Sequence, residues 1–118
     1  MDIINVLIVD DESELRDSVS EAIKSFYHHK TVNVHQAANG LEAINKSRET
    51  FYDLILMDVK MPEVDGIEAL SQIKSFEPRT FIVIMTAHSN LRDAVAAIKA
   101  GAYDYLENSP QGALGKQF

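Results

Sequence analysis

Short apolar runs alternate along this chain with stretches in which apolar residues recur every third or fourth position. Val6-Leu7-Ile8-Val9, within residues 4–9, and Leu54-Ile55-Leu56-Met57, within residues 53–58, are too short for helices and apolar at every position. Phe81-Ile82-Val83-Ile84-Met85 is the most apolar run of all. Such runs are expected of strands buried on both faces of a parallel sheet. Val32 and Val34 instead alternate with polar neighbours up to Ala37-Ala38, which predicts a strand nearer an edge. Tyr103 to Leu106 predicts a short fifth strand.

Helical spacing fills the gaps. From Ser13, read as an N-cap, the stripe is Leu15, Val19, Ala22, Ile23 and Phe26, broken by Tyr27-His28-His29-Lys30. Asn39-Gly40 opens a second helix carrying Leu41, Ala43 and Ile44. Met61-Pro62-Glu63-Val64-Asp65-Gly66 is a loop punctuated by Pro and Gly, and Ile67, Leu70 and Ile73 form a third helix ending before Glu77-Pro78. Leu91, Ala94, Val95 and Ile98 form a fourth, stopped by Gly101. Alternating strands and helices predict an α/β fold, a doubly wound five-stranded parallel sheet with right-handed crossovers. No closing helix is expected after residue 107. Asn108 to Phe118 holds two glycines, a proline and few apolar positions.

Composition narrows the class. A chain of 118 residues with 46% hydrophobic content supports one core, and without cysteine it has neither disulfides nor thiolate metal sites. The net charge of −7 argues against nucleic acid or an anionic membrane as a direct partner. The start lacks a basic leader and no apolar run reaches membrane length, so a cytoplasmic location is expected.

The candidate chemistry lies at strand ends. Asp10-Asp11 follows the first run and Asp58 the second. Ligands of doubly wound sheets bind beyond the carboxyl ends of the strands, where the strand order reverses. Three carboxylates converging there repel one another unless a cation binds or a proton is shared. A hard cation such as Mg²⁺ suits an oxygen-only set. Thr86 ends another strand and can donate a hydroxyl hydrogen bond. His28-His29 reads as exposed loop rather than metal ligand.

These residues closely resemble the receiver domain of two-component response regulators, from Asn5 to about Glu107. The resemblance is carried by Val9-Asp10-Asp11-Glu12, the stretch from Asp58 to Gly66, Met85-Thr86-Ala87, and Gly101-Ala102-Tyr103-Asp104-Tyr105-Leu106. It implies a flavodoxin-like fold of receiver type. It makes Asp58 the phosphoacceptor, taking a phosphoryl group from a sensor histidine kinase. Asp10, Asp11, Asp58 and the backbone carbonyl of Lys60 become the Mg²⁺ ligands. Thr86 becomes the phosphoryl hydrogen-bond donor, and Thr86 and Tyr105 the switch residues. Lys60 and His88 line the mouth and tune phosphoryl lifetime. Such a domain is no enzyme beyond slow self-dephosphorylation. It acts by switching a surface read by an output domain or partner.

The chain departs from that pattern at Asn108, where receivers carry a lysine followed by proline. An amide can donate a hydrogen bond there but cannot form an ion pair. The expected division is therefore a receiver over residues 1–107 and an atypical tail over 108–118. The abrupt change points to an altered or truncated end. A degenerate receiver, acting as a phosphorylation-independent interaction module, is the alternative. A Mg²⁺-dependent phosphohydrolase is disfavoured, because Lys60 stands where that class needs a second acid. Without a final helix, an apolar face beside the first and last strands is left to be covered, and self-association through it is expected.

Overall fold

β1 (Ile3–Val9) lies between two parallel neighbours, β2 (Thr31–Ala37) and β3 (Leu54–Met57). Beyond β3 come β4 (Phe81–Thr86) and β5 (Asp104–Glu107), giving one parallel sheet in the order β2-β1-β3-β4-β5. The computed structural model describes residues 3–26, 31–87 and 90–107. The Tyr27–Lys30 break with His28 and His29, His88, and the tail from Asn108 lie outside the described residues.

The connections among the described residues are α1 (Ser13–Phe26), α2 (Gly40–Glu49), α3 (Gly66–Phe76) and α4 (Leu91–Lys99). Three of them start on a polar cap. Asn39 Oδ1 accepts from the Glu42 N–H at 2.8 Å, Asp65 Oδ1 from Glu68 at 2.9 Å and Asn90 Oδ1 from Asp93 at 2.8 Å. Ser13 departs from expectation. It is already helical, and the Glu12 carbonyl accepts the Arg16 N–H at 3.1 Å. Gly101 ends α4 at φ 109°, a conformation side chains disfavour.

Alternation along the strands sends Leu7, Val9, Ile55, Met57, Ile82 and Ile84 into one core. Ala43 and Ile44 of α2, Leu70 and Ile73 of α3, and Ala97 of α4 pack there too. Val6, Ile8, Val83 and Met85 are also buried, and α1 lies against β1 and β2.

Three predicted helix stripes need correcting. On α4, Leu91 and Ile98 are 79% and 53% exposed and Val95 faces solvent as well, whereas Ala97 is fully buried. The helix presents its small face inward because an alanine surface allows close approach to the core. On α1, Ala22 and Phe26 are exposed, Leu15, Val19 and Ile23 are half-buried, and the buried residue is Ser20. Leu41 of α2 is likewise exposed.

Candidate functional site

Strand register brings the acids together. Val9 pairs with Met57, so Asp10 and Asp58 emerge side by side from β1 and β3. The Asp58 N–H donates to the Val9 carbonyl at 3.0 Å, and the Asp10 N–H donates to the Ala37 carbonyl at 3.1 Å. Asp10 is thus fixed between β2 and β3. Oxygens of Asp10, Asp11 and Asp58 lie within 4.8 Å of one another, with Asp10 buried, Asp58 half-buried and Asp11 exposed. They line a cleft of about 250 Å³ with Glu12, Lys60 and Thr86.

The acids are held differently. Burial pushes the Asp10 carboxyl up from 3.8 to about 6, against the Glu12 N–H, which donates to its Oδ1 at 2.9 Å. The charges of Asp58 and Asp11 push it the same way. Burial also raises Asp58, and the charge of Asp11 adds to this. The backbone N–H groups of Val59 and Lys60 and the Thr86 hydroxyl oppose the rise by hydrogen bonding to the ionised carboxylate. A partly desolvated anion faced by donors on one side and by two acids on the other suits a divalent cation. Oxygen-only ligands that a small cation would relieve of mutual repulsion are the donor set Mg²⁺ takes, with water completing its shell. The residues fit the ion.

The loop behind Asp58 is tightly drawn. The Gly66 N–H donates to the Val59 carbonyl at 2.9 Å, and Gly66 lies against the Asp58 backbone. Glu63 in the same loop takes a left-handed φ of 67°, alone in this among the described non-glycine residues.

The other predicted site residues divide. Thr86 is buried at the end of β4 and bonds to Asp58. Lys60 is exposed at the mouth. Tyr105 stands opposite Ile84 on β5 and packs against the core. Its hydroxyl is buried without a hydrogen-bond partner among the described residues. Burial raises that phenol first of all, and the negative charges of Asp93, Glu107 and Asp58 add to the rise. The Asn90 backbone offsets part of it without reaching hydrogen-bond geometry. His88 and Asn108 fall outside the described residues.

Two residues escaped the sequence reading. Arg16 Nη1 donates to the Asp10 carbonyl at 2.8 Å, and its Nε donates to Gln36 Oε1 at 2.8 Å. The position of Arg16 on the first turn after the acid pair was a usable signal. Nothing local marks Gln36, which lies on β2.

A strand-end acid pocket on a five-stranded parallel sheet is the arrangement of a receiver domain. Residues 6–111 match the family model of the response regulator receiver domain, and the chain belongs to that family. It is 42% identical over 103 residues to the transcriptional regulatory protein ZraR of Klebsiella oxytoca, covering 87% of this chain and 22% of that protein. This chain therefore spans about a fifth of that regulator's length. It is 36% identical over 103 residues to the chemotaxis protein CheY of Listeria monocytogenes, covering 87% of this chain and 84% of CheY. The crystal structure of the response regulator domain of Thermotoga maritima CheB superposes with a TM-score of 0.82 at 32% identity, covering 94% of this chain and 81% of that one. No helix among the described residues is long and apolar enough to cross a membrane.

Proposed function

We propose that this receiver takes a phosphoryl group from a sensor histidine kinase onto Asp58, with Mg²⁺ held by Asp10, Asp11, Asp58 and the Lys60 carbonyl. The observation that carries the reading is the Asp58 carboxylate itself, partly buried beside two acids and hydrogen-bonded by the Thr86 hydroxyl. An Asp58 oxygen attacks phosphorus, an O–P bond forms, and the P–N bond of the donor phosphohistidine breaks with the imidazole leaving. Bound in the acid pocket, Mg²⁺ supplies charge neutralisation for the carboxylate and the phosphoryl oxygens. Thr86 and the Val59 and Lys60 N–H groups orient the acceptor. Lys60 and His88 tune how long the acyl phosphate lasts, so the protein is a stoichiometric acceptor with at most slow self-dephosphorylation. Thr86 and Tyr105 pass the change to a surface that an output domain or partner reads, and the site works on the cytoplasmic side.

The working unit is residues 1–107, with 108–118 as an atypical tail. The face beside β1 and β5 self-associates with a second copy. In support, Ile4, Leu54, Phe81, Val83 and Tyr103 line an open apolar hollow of about 350 Å³ there. Sedimentation velocity over a concentration series tests this, and a monomer at every concentration refutes it.

Acetyl phosphate with Mg²⁺ followed by intact-mass measurement tests the acceptor. One added phosphoryl group is expected, absent in Asp58→Asn. Asn108 in place of the family lysine favours a second reading, a phosphorylation-independent interaction module. An unchanged mass in the wild type decides for it.

A further inference from the structure

The guanidinium of Arg16 is held from two sides. Nη1 donates to the Asp10 carbonyl at 2.8 Å and Nε donates to Gln36 Oε1 at 2.8 Å. Gln36 is itself fixed, because its Nε2 donates to Asp17 Oδ1 at 3.0 Å and approaches Ser20 Oγ at 3.4 Å. Ser20 is the buried residue of α1, and Ala37, next to Gln36, accepts the Asp10 N–H. One planar fork therefore ties the turn bearing Asp10 and Asp11 to both the edge strand and the first helix.

The influence of Arg16 on the acids is geometric. The hydrogen bonds of Arg16 go to a main-chain carbonyl and to the Gln36 amide oxygen, and to neither the Asp10 nor the Asp11 carboxylate. The guanidinium grips the main chain and leaves the carboxylates free for a cation. A fork with two N–H donors in fixed directions does this, and a single ammonium does not.

We infer that Arg16, locked by Gln36, is a positioning residue that presets the Asp10-Asp11 turn for Mg²⁺. The inference rests on the proposed metal pocket. Partners that orient ligands without touching a metal typically alter affinity roughly 10–100-fold when removed. Arg16 acts through a backbone carbonyl, so the lower end applies.

The test is Mg²⁺ titration of the ¹⁵N-labelled protein followed by amide shifts, with thermal melting of each metal-free variant. Arg16→Met and Arg16→Lys are both expected to weaken Mg²⁺ roughly tenfold. Gln36→Met is expected to weaken it in the same direction and by less than the Arg16 variants. A purely structural role lowers the melting midpoint and leaves the affinity of the folded protein unchanged. Wild-type affinity in Arg16→Lys overturns the inference, because charge alone then suffices. If the Arg16 variants do not fold, unchanged affinity in Gln36→Met overturns it. A wild type whose Asp10, Asp11 and Asp58 amides ignore Mg²⁺ refutes the metal pocket itself, a separate outcome.

Discussion

Gly66 presses its α-carbon against the backbone of Asp58, so closely that a Cβ there would overlap the Asp58 carbonyl oxygen and crowd the Val59 α-carbon. Both obstacles are main chain and cannot swing aside. Gly66→Ala is therefore expected to push α3 away from the strand end, costing about 1–3 kcal/mol and weakening Mg²⁺ binding. Urea unfolding and metal titration check both effects. Unchanged stability would mean that the loop relaxes freely.

Asp10 gives a pH dependence. Its carboxyl is raised from 3.8 to about 6 in the folded metal-free protein, so folding binds its proton more tightly than the unfolded chain does. That contribution is fully present below about pH 4 and is lost as pH rises through about 6. At neutral pH the buried charge costs at most roughly 3 kcal/mol. Asp10→Asn should then stabilise the metal-free protein at pH 7.5, and the gain over wild type should shrink towards pH 4. Thermal melts of the pair across this range, in EDTA, check it. A constant difference would place the cause elsewhere.

Glu63 carries strain that a different side chain would relieve. A left-handed residue with a Cβ costs roughly 1–2 kcal/mol, and asparagine tolerates that region better. Glu63→Asn should stabilise the protein by about 0.5–1 kcal/mol, read from the urea midpoint. A loss of stability would show that the Glu63 side chain compensates for its backbone.

The Tyr105 hydroxyl, buried with no partner among the described residues, makes a further expectation. Tyr105→Phe keeps the ring packed on the core and removes an unsatisfied polar atom, so stability should rise by about 1 kcal/mol. Denaturant titration measures it. Destabilisation would indicate that water already serves the phenol.

The alternation of strands with helices and the meeting of Asp10, Asp11 and Asp58 were legible, because runs such as Val6–Val9 and Leu54–Met57 are apolar at every position and the acids follow them directly, whereas the flavodoxin-like sheet came from the family resemblance. The facing of α4 was not. Leu91, Val95 and Ile98 outweigh alanine in any apolar stripe, yet Ala97 makes the core contact because its size permits the approach. The Arg16–Gln36 bond was hidden for another reason. Its partners meet only where α1 packs on β2, and polar pairing between a helix and a strand leaves no local periodicity. Ser13 was misplaced by a single residue, within the ordinary uncertainty of helix ends.

The hydrogen bond from Asp58 to Val9 joins segments from distant parts of the chain, with α1, β2 and α2 threaded between them. Such long-range pairing carries the loop-closure cost that makes parallel sheets slow to assemble. A chain emerging from synthesis possesses Asp10, Asp11 and Asp58 before it possesses β4 and β5. A cation held by the proposed pocket would consequently be a ligand of the native state alone, and the unfolding midpoint is expected to climb with the logarithm of Mg²⁺ concentration once that exceeds the dissociation constant.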